Sequence, residues 1–132
     1  MRYLLDTNIL SDLLRHPRGP AALRLAEVGE DQVGTSIICA GELRFGAIRK
    51  GSPRLAAHVA ALLDTLEVLP LDEPTSEIYG EIRTALERRG RPIGNNDLWI
   101  AAHAMALGVT LVTANESEFR RVDGLAVENW VK

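Results

Sequence analysis

The sequence holds one cysteine, Cys39, in 132 residues, so no internal disulfide can form and a reducing compartment such as the cytoplasm suits it best. Aromatic residues make up only 5%, which limits how far nucleic-acid bases could be recognised by stacking. The three histidines, His16, His58 and His103, are scattered, and there is no cysteine pair. The usual zinc patterns are therefore excluded, and each histidine is expected to be a surface or helix residue. No apolar run approaches the ~20 residues of a membrane span. The start carries an acid at position 6 and no apolar stretch of the signal-peptide kind. Positive charge is not in excess either. A formal net charge of −3 argues against nonspecific coating of nucleic acid, yet leaves room for a local basic rim.

What remains is ordinary globular material, 46% hydrophobic and 25% charged, enough for one domain over residues 1–132 with a proper core. The first eight residues organise it. Tyr3, Leu4 and Leu5 form a short apolar run of the kind expected in a strand buried on both faces. The run stops at Asp6, and a helical pattern follows over Asn8–Leu14. A carboxylate thus stands where a central parallel strand gives way to a helix, the edge where open α/β sheets bind ligands.

Further along, helices are expected over Ala21–Val28, from the N-cap Ser36 to about Lys50, and over Arg54–Leu66, Thr75–Arg89 and Asn95–Leu107. Strands are expected at Gln32–Thr35, Glu67–Leu71, Val109–Val112 and Ala126–Glu128. Strands alternating with helices imply a parallel sheet wrapped by helices.

Two acids stand on faces that ought to be apolar. On the Ser36–Lys50 helix, Glu42 shares a face with Ile38, Cys39, Phe45, Gly46 and Arg49. Either this face packs on the sheet and Glu42 meets a cation or donors, or the helix is rotated and Glu42 reaches solvent. Asp97 shares its stripe with Ile100, Ala101 and Ala104. A first-turn acid complements the helix dipole, but that does not account for the apolar face. Asn115 follows the Val109–Val112 strand as Asp6 follows the first, although a turn asparagine would look the same. Taken together, two strand ends and two helix N-terminal halves converge on one sheet edge. Three carboxylates so close repel one another unless a cation is present. Hard oxygen ligands point to Mg²⁺ or Mn²⁺ held by Asp6, Glu42 and Asp97.

Four ordered motifs carry a resemblance that spans nearly the whole chain. They are Leu5-Asp6-Thr7-Asn8, Gly41-Glu42-Leu43, Ile93 to Ala102 (with Asn95-Asn96-Asp97), and Leu111-Val112-Thr113-Ala114-Asn115 with Glu118-Phe119 after it. The sequence resembles the PIN domain family, and the match is close to the VapC toxins of bacterial type II toxin–antitoxin pairs. The resemblance implies a three-layer α/β/α sandwich with a central parallel sheet, and an acidic metal site of Asp6, Glu42 and Asp97. Thr7 corresponds to the polar residue beside the first acid, with Asn96 a candidate supporting residue. Asn115 would complete the catalytic set, where many PIN domains carry an aspartate. Three carboxylates bring a charge of about −3, which one divalent cation nearly neutralises. Glu118 either reaches the site or is a solvated turn acid.

Such a site suits hydrolysis of a phosphodiester without a Ser, Cys or His nucleophile. The implied activity is Mg²⁺- or Mn²⁺-dependent endonucleolytic cleavage of RNA, with structured RNA such as tRNA as substrate. Arg88, Arg89 and Arg91, Arg44, Arg49 and Lys50, and Arg120 and Arg121 are candidates for a cationic rim. The implied partner is a small VapB-like antitoxin laid into a groove between the Ala21–Val28 and Arg54–Leu66 helices, whose apolar residues exceed one sheet-facing stripe. A homodimer through a separate surface that includes Trp99 is also expected, against burial of Trp99 under a neighbouring helix. Two alternatives stay open: a catalytically silent interaction module, and a PIN nuclease of RNA processing with no antitoxin. A phosphatase of the Asp-x-Asp kind and a phospho-receiver fit poorly, for Asn8 replaces the second acid and the only late lysine is Lys132.

Overall fold

The computed structural model describes residues 1–132 and places the N-terminal strand at the centre of everything. Five strands, β1 (Tyr3–Leu5), β2 (Val33–Ser36), β3 (Glu67–Leu69), β4 (Thr110–Val112) and β5 (Val127–Glu128), form one sheet in the order β3-β2-β1-β4-β5. All four pairings are parallel. Seven helices flank the sheet: α1 (Thr7–Arg15), α2 (Pro20–Val28), α3 (Ile37–Lys50), α4 (Pro53–Thr65), α5 (Glu73–Arg88), α6 (Asn95–Leu107) and α7 (Glu116–Phe119). This is the three-layer α/β/α sandwich, and a single core of buried side chains runs through it.

Register sets the level of the site. Leu5 pairs with Thr35 on one side and Val112 on the other, so Asp6, Ser36 and Thr113 emerge together at the carboxyl edge. Leu4 and Leu5 are fully buried, as a strand covered on both faces requires. Gly34 in β2 has a steric reason: a Cβ there would stand 2.5 Å from Met1 Sδ and 3.0 Å from the Glu67 carbonyl. The glycine lets β3 come close. Gly108 ends α6 at φ 69°, the left-handed conformation that favours glycine.

Several expectations are corrected. β3 stops at Leu69 rather than Leu71, because Pro70 has no N–H to donate to a ladder. Helix α7 and a 3₁₀ turn at Glu30–Gln32 were not expected, since neither is long enough to show a period. The face of α3 is turned: Cys39, Ala40, Leu43 and Ala47 are buried, while Phe45 is 62% exposed and Ile48 74%. Glu42 therefore lies at the edge of the packed stripe, half-buried. Val59, Leu63 and Leu66 are core residues, and of these Val59 also lines a groove, the one between α1, α3 and α4. Helix α4 packs on α3 and α1, and the groove it borders lies between those helices rather than against α2. Trp99 stacks on Tyr79 of α5, ring centroids 3.9 Å apart and planes 16° apart, and stays half-buried. His103 is a buried helix residue. Its Nδ1 is 2.9 Å from Ser36 Oγ. Burial lowers the pKa of this imidazole, partly opposed by Asp72.

Candidate active site

Asp6 begins the site because of how it ends β1. Its backbone N–H donates to the Val112 carbonyl at 2.9 Å, and its Oδ1 accepts from the Thr7 N–H at 2.7 Å, capping α1. Three further donors hold the carboxylate. Thr113 Oγ1 donates to Oδ2 at 2.8 Å, Asn8 Nδ2 at 3.2 Å, and the Cys39 thiol approaches Oδ1 at 3.8 Å. Asp6 is only 4% exposed. Burial pushes its pKa up, with Glu42 adding to the rise, while the hydrogen bonds from Thr113 and Thr7 oppose it. Burial also drives the Cys39 thiol up to about 12, helped by the neighbouring Asp6 charge. Cys39 is thus a buried donor and not a nucleophile.

Glu42 reaches the same edge from the second turn of α3, where Thr7 Oγ1 donates to its Oε1 at 2.8 Å. Asp97 arrives from the first turn of α6, backed by buried Ile100, Ala101 and Ala104. Its pKa is raised to about 7, first by burial, then by a hydrogen bond with Glu118 and by the charges of Glu118, Asp6 and Glu42. The Glu118 carboxylate is held low by that same bond and by the Gly94 N–H at 3.2 Å. Asn115 lies alongside: its N–H donates to Thr113 Oγ1 at 3.0 Å and its amide to Glu118 Oε2 at 2.6 Å.

The structure therefore brings Asp6, Glu42, Asp97 and Glu118 to one edge, with Asn115 orienting Glu118 rather than any of the other three. Asn96 is exposed in the first turn of α6. Sequence reasoning left two residues without a role. Thr113 joins Asp6 to Asn115, and Asn8 accepts from the Ala114 N–H at 3.0 Å while donating to Asp6. Their signal was position alone: polar residues within three positions of the ends of β1 and β4.

None of the four carboxylates has an ion-pair partner. An all-oxygen, uncompensated acidic set of this kind fits a hard divalent cation. The side chains are not drawn in around one point, and no three acids are arranged as a closed ligand set. Asp97 is engaged with Glu118 and Glu42 with Thr7. Of the basic residues, Arg89 pairs with Asp123, Arg120 with Glu116, and Arg121 donates to the Pro92 carbonyl. Arg44, Arg88 and Arg91 are exposed without an acidic partner.

A groove of about 210 Å³ opens beside the acids, between α1, α3 and α4. Thr7 and Glu42 line it together with Leu14, Leu43, Ala47 and Leu55, and Arg15, Arg49 and Lys50 also reach it.

A parallel five-stranded sandwich with acids at the carboxyl edge of its central strands is the architecture of a PIN domain, and residues 3–125 match that family. The chain belongs to the PIN domain family. Among its relatives, "Ribonuclease VapC1" of Haemophilus influenzae strain R2866 is 38% identical over 136 residues, covering all of both chains. The "tRNA(fMet)-specific endonuclease VapC" of Shigella flexneri is 34% identical over 98% of each chain. In a crystal structure of DNA-bound VapBC from Salmonella typhimurium, a chain 33% identical superposes with a TM-score of 0.93, covering 98% of both.

Proposed function

We propose that this chain is an endoribonuclease of the VapC kind, dependent on Mg²⁺ or Mn²⁺ and neutralised by a VapB-like antitoxin, acting on structured RNA such as tRNA in the cytoplasm. The observation that carries the reading is the uncompensated acid cluster of Asp6, Glu42 and Asp97 at the edge of β1, in a chain whose full-length relatives are named as ribonucleases. No helix is long and apolar enough to cross a membrane.

Asp6, Glu42 and Asp97 would hold the cation. When bound, it supplies an activated water and neutralises charge developing on the phosphate. The chain's own residues set the stage. Thr113, Asn8 and the Thr7 N–H fix Asp6, so one oxygen ligand is oriented before anything binds. Thr7 orients Glu42. Asp97, its pKa raised to about 7 by burial and by Glu118, would give up its proton when a cation binds. Arg44, Arg88 and Arg91 are free to meet the polyanionic backbone.

The groove between α1, α3 and α4 is the docking site this reading assigns to the antitoxin. Its apolar lining suits an amphipathic segment, and a cation on that segment would be drawn to Glu42. A homodimer belongs to the same reading, through a surface separate from this groove, and light scattering of the isolated protein tests it.

The test of the activity is incubation of purified protein with total RNA and Mn²⁺, with and without EDTA. Cleavage that EDTA abolishes supports the reading. Intact RNA under both conditions would leave a silent binding module.

A further inference from the structure

The corner between α5 and α6 encloses a cavity of about 170 Å³ one residue away from the acids. Gly94 connects the two places. Its N–H donates to Glu118, and a Cβ added to it would lie 3.7 Å from Asp97 Oδ2, while its neighbours Ile93 and Asn95 line the cavity. The volume falls below the roughly 300–1,000 Å³ of a drug-sized site, so a single ring system fits better than a whole nucleotide.

The floor is apolar, made by buried Leu86, Ile93 and Leu98, and the rim carries Arg83, Glu87 and Asn95. The rim's hydrogen bonds define what is left over. The Tyr79 hydroxyl donates to Asn95 Oδ1 at 2.5 Å and accepts from Arg83 Nη1 at 2.9 Å. Arg83 Nε donates to Glu87 Oε2 at 2.9 Å. Tyr79 is itself fixed by its stack on Trp99. On the far wall the Pro92 carbonyl is held by Arg121. Three groups then remain unused above an apolar floor: the Asn95 amide N–H pair, Arg83 Nη2 and Glu87 Oε1. Two are donors and one is an anionic acceptor.

The geometry points to a nucleobase subsite with guanine as the best-matched ring, its N1–H meeting Glu87 Oε1, its 2-amino group the remaining lone pair of Oε2, and its carbonyl oxygen meeting Asn95 or Arg83. Cytosine and adenine present no ring N–H to a carboxylate, and uracil presents only one. Recognition works through edge hydrogen bonds, consistent with a chain poor in exposed aromatic faces. The subsite deepens the RNA-cleavage reading and rests on it for its place beside a scissile phosphate. It would seat one base of a looped strand while the adjoining phosphate lies over Asp6 and Asp97.

Titration of the isotopically labelled full chain with each of the four nucleoside 5′-monophosphates, followed by NMR, tests this without turnover. The expected result is that guanosine monophosphate shifts the Asn95 side-chain amide and the Leu86 and Leu98 methyls. It should bind roughly tenfold more tightly than the other three, the worth of one charge-assisted hydrogen bond. Glu87→Gln, at an exposed position, should keep the spectrum of a folded protein and bring guanine down to the level of the others. No shift with any nucleotide, or equal shifts with all four, would overturn the subsite. So would shifts that follow protein concentration alone, which would mark a face between two copies. Guanine binding in a protein that cuts no RNA would sink the nuclease reading and leave the subsite standing. RNA cleavage with no guanine response would do the reverse.

Discussion

Asp97 and Glu118 approach from different elements, the start of α6 and the short α7, and Glu118 adds to the burial that raises the Asp97 pKa to about 7. The arrangement has a measurable pH signature. Between about pH 4 and about pH 7 the folded chain keeps an Asp97 proton that the unfolded chain has already released. Without divalent cation, thermal stability should therefore fall as pH rises through that window. Asp97→Asn should flatten this dependence, and Mn²⁺ should offset the loss at the upper end. A melting temperature that rises steadily from pH 4 to pH 7 in EDTA would contradict the raised Asp97 pKa.

Thr113 is the strut between two strands and the first acid. It donates to Asp6 and accepts from the Asn115 N–H. Thr113→Val keeps the shape and removes both bonds, and should cost about 1–3 kcal/mol of stability, as buried groups left without partners do. Mn²⁺ affinity, measured by calorimetry, should weaken roughly 10–100-fold, and Thr113→Ser should restore it. Equal affinity in the valine and serine variants would remove Thr113 from the site.

Much of this was visible in the sequence because the physics is local. An apolar triplet that stops at Asp6 fits a short buried strand, and Asp97 stands on the stripe of Ile100, Ala101 and Ala104, all of them buried. What escaped depends on neighbours distant in sequence. Helical period alone could not say that α4 would cover α3, burying Val59 and Leu63 and leaving Phe45 and Ile48 in solvent. Helix α7 has four residues, one of them buried, too few for a period. The position of Glu118 follows from that turn, and so it read equally well as a solvated acid. The burial of His103 depends on Ser36, 67 residues earlier.

The relocated groove changes which substitutions test the antitoxin. Val59→Asp places a charge in the core and should unfold the protein. Gly46 lines the groove, and a Cβ there would meet nothing within 4 Å. Gly46→Leu should therefore fold, and gain about 0.5–1 kcal/mol from removing a mid-helix glycine, while filling the groove. Co-expression with the antitoxin should no longer neutralise it. Full neutralisation of a stably folded Gly46→Leu protein would place the antitoxin elsewhere.

Cys39 offers a simple check on packing around the first acid. With its thiol pushed up to about 12 and no solvent exposure, it should resist iodoacetamide at pH 8 in the native protein and react once denatured. Rapid native alkylation would show that the Asp6 pocket opens far more than its hydrogen bonds suggest.

The central claim is that the acids at the edge of β1 hold the cation that cuts RNA. The most direct measurement compares RNA cleavage by the wild-type protein, Asp6→Asn and Asp97→Asn at saturating Mn²⁺, with folding of each checked by melting. Both variants should fold, and both should lose more than the roughly 100-fold that removal of a mere supporting partner costs. Cleavage at the wild-type rate by either folded variant would contradict the account.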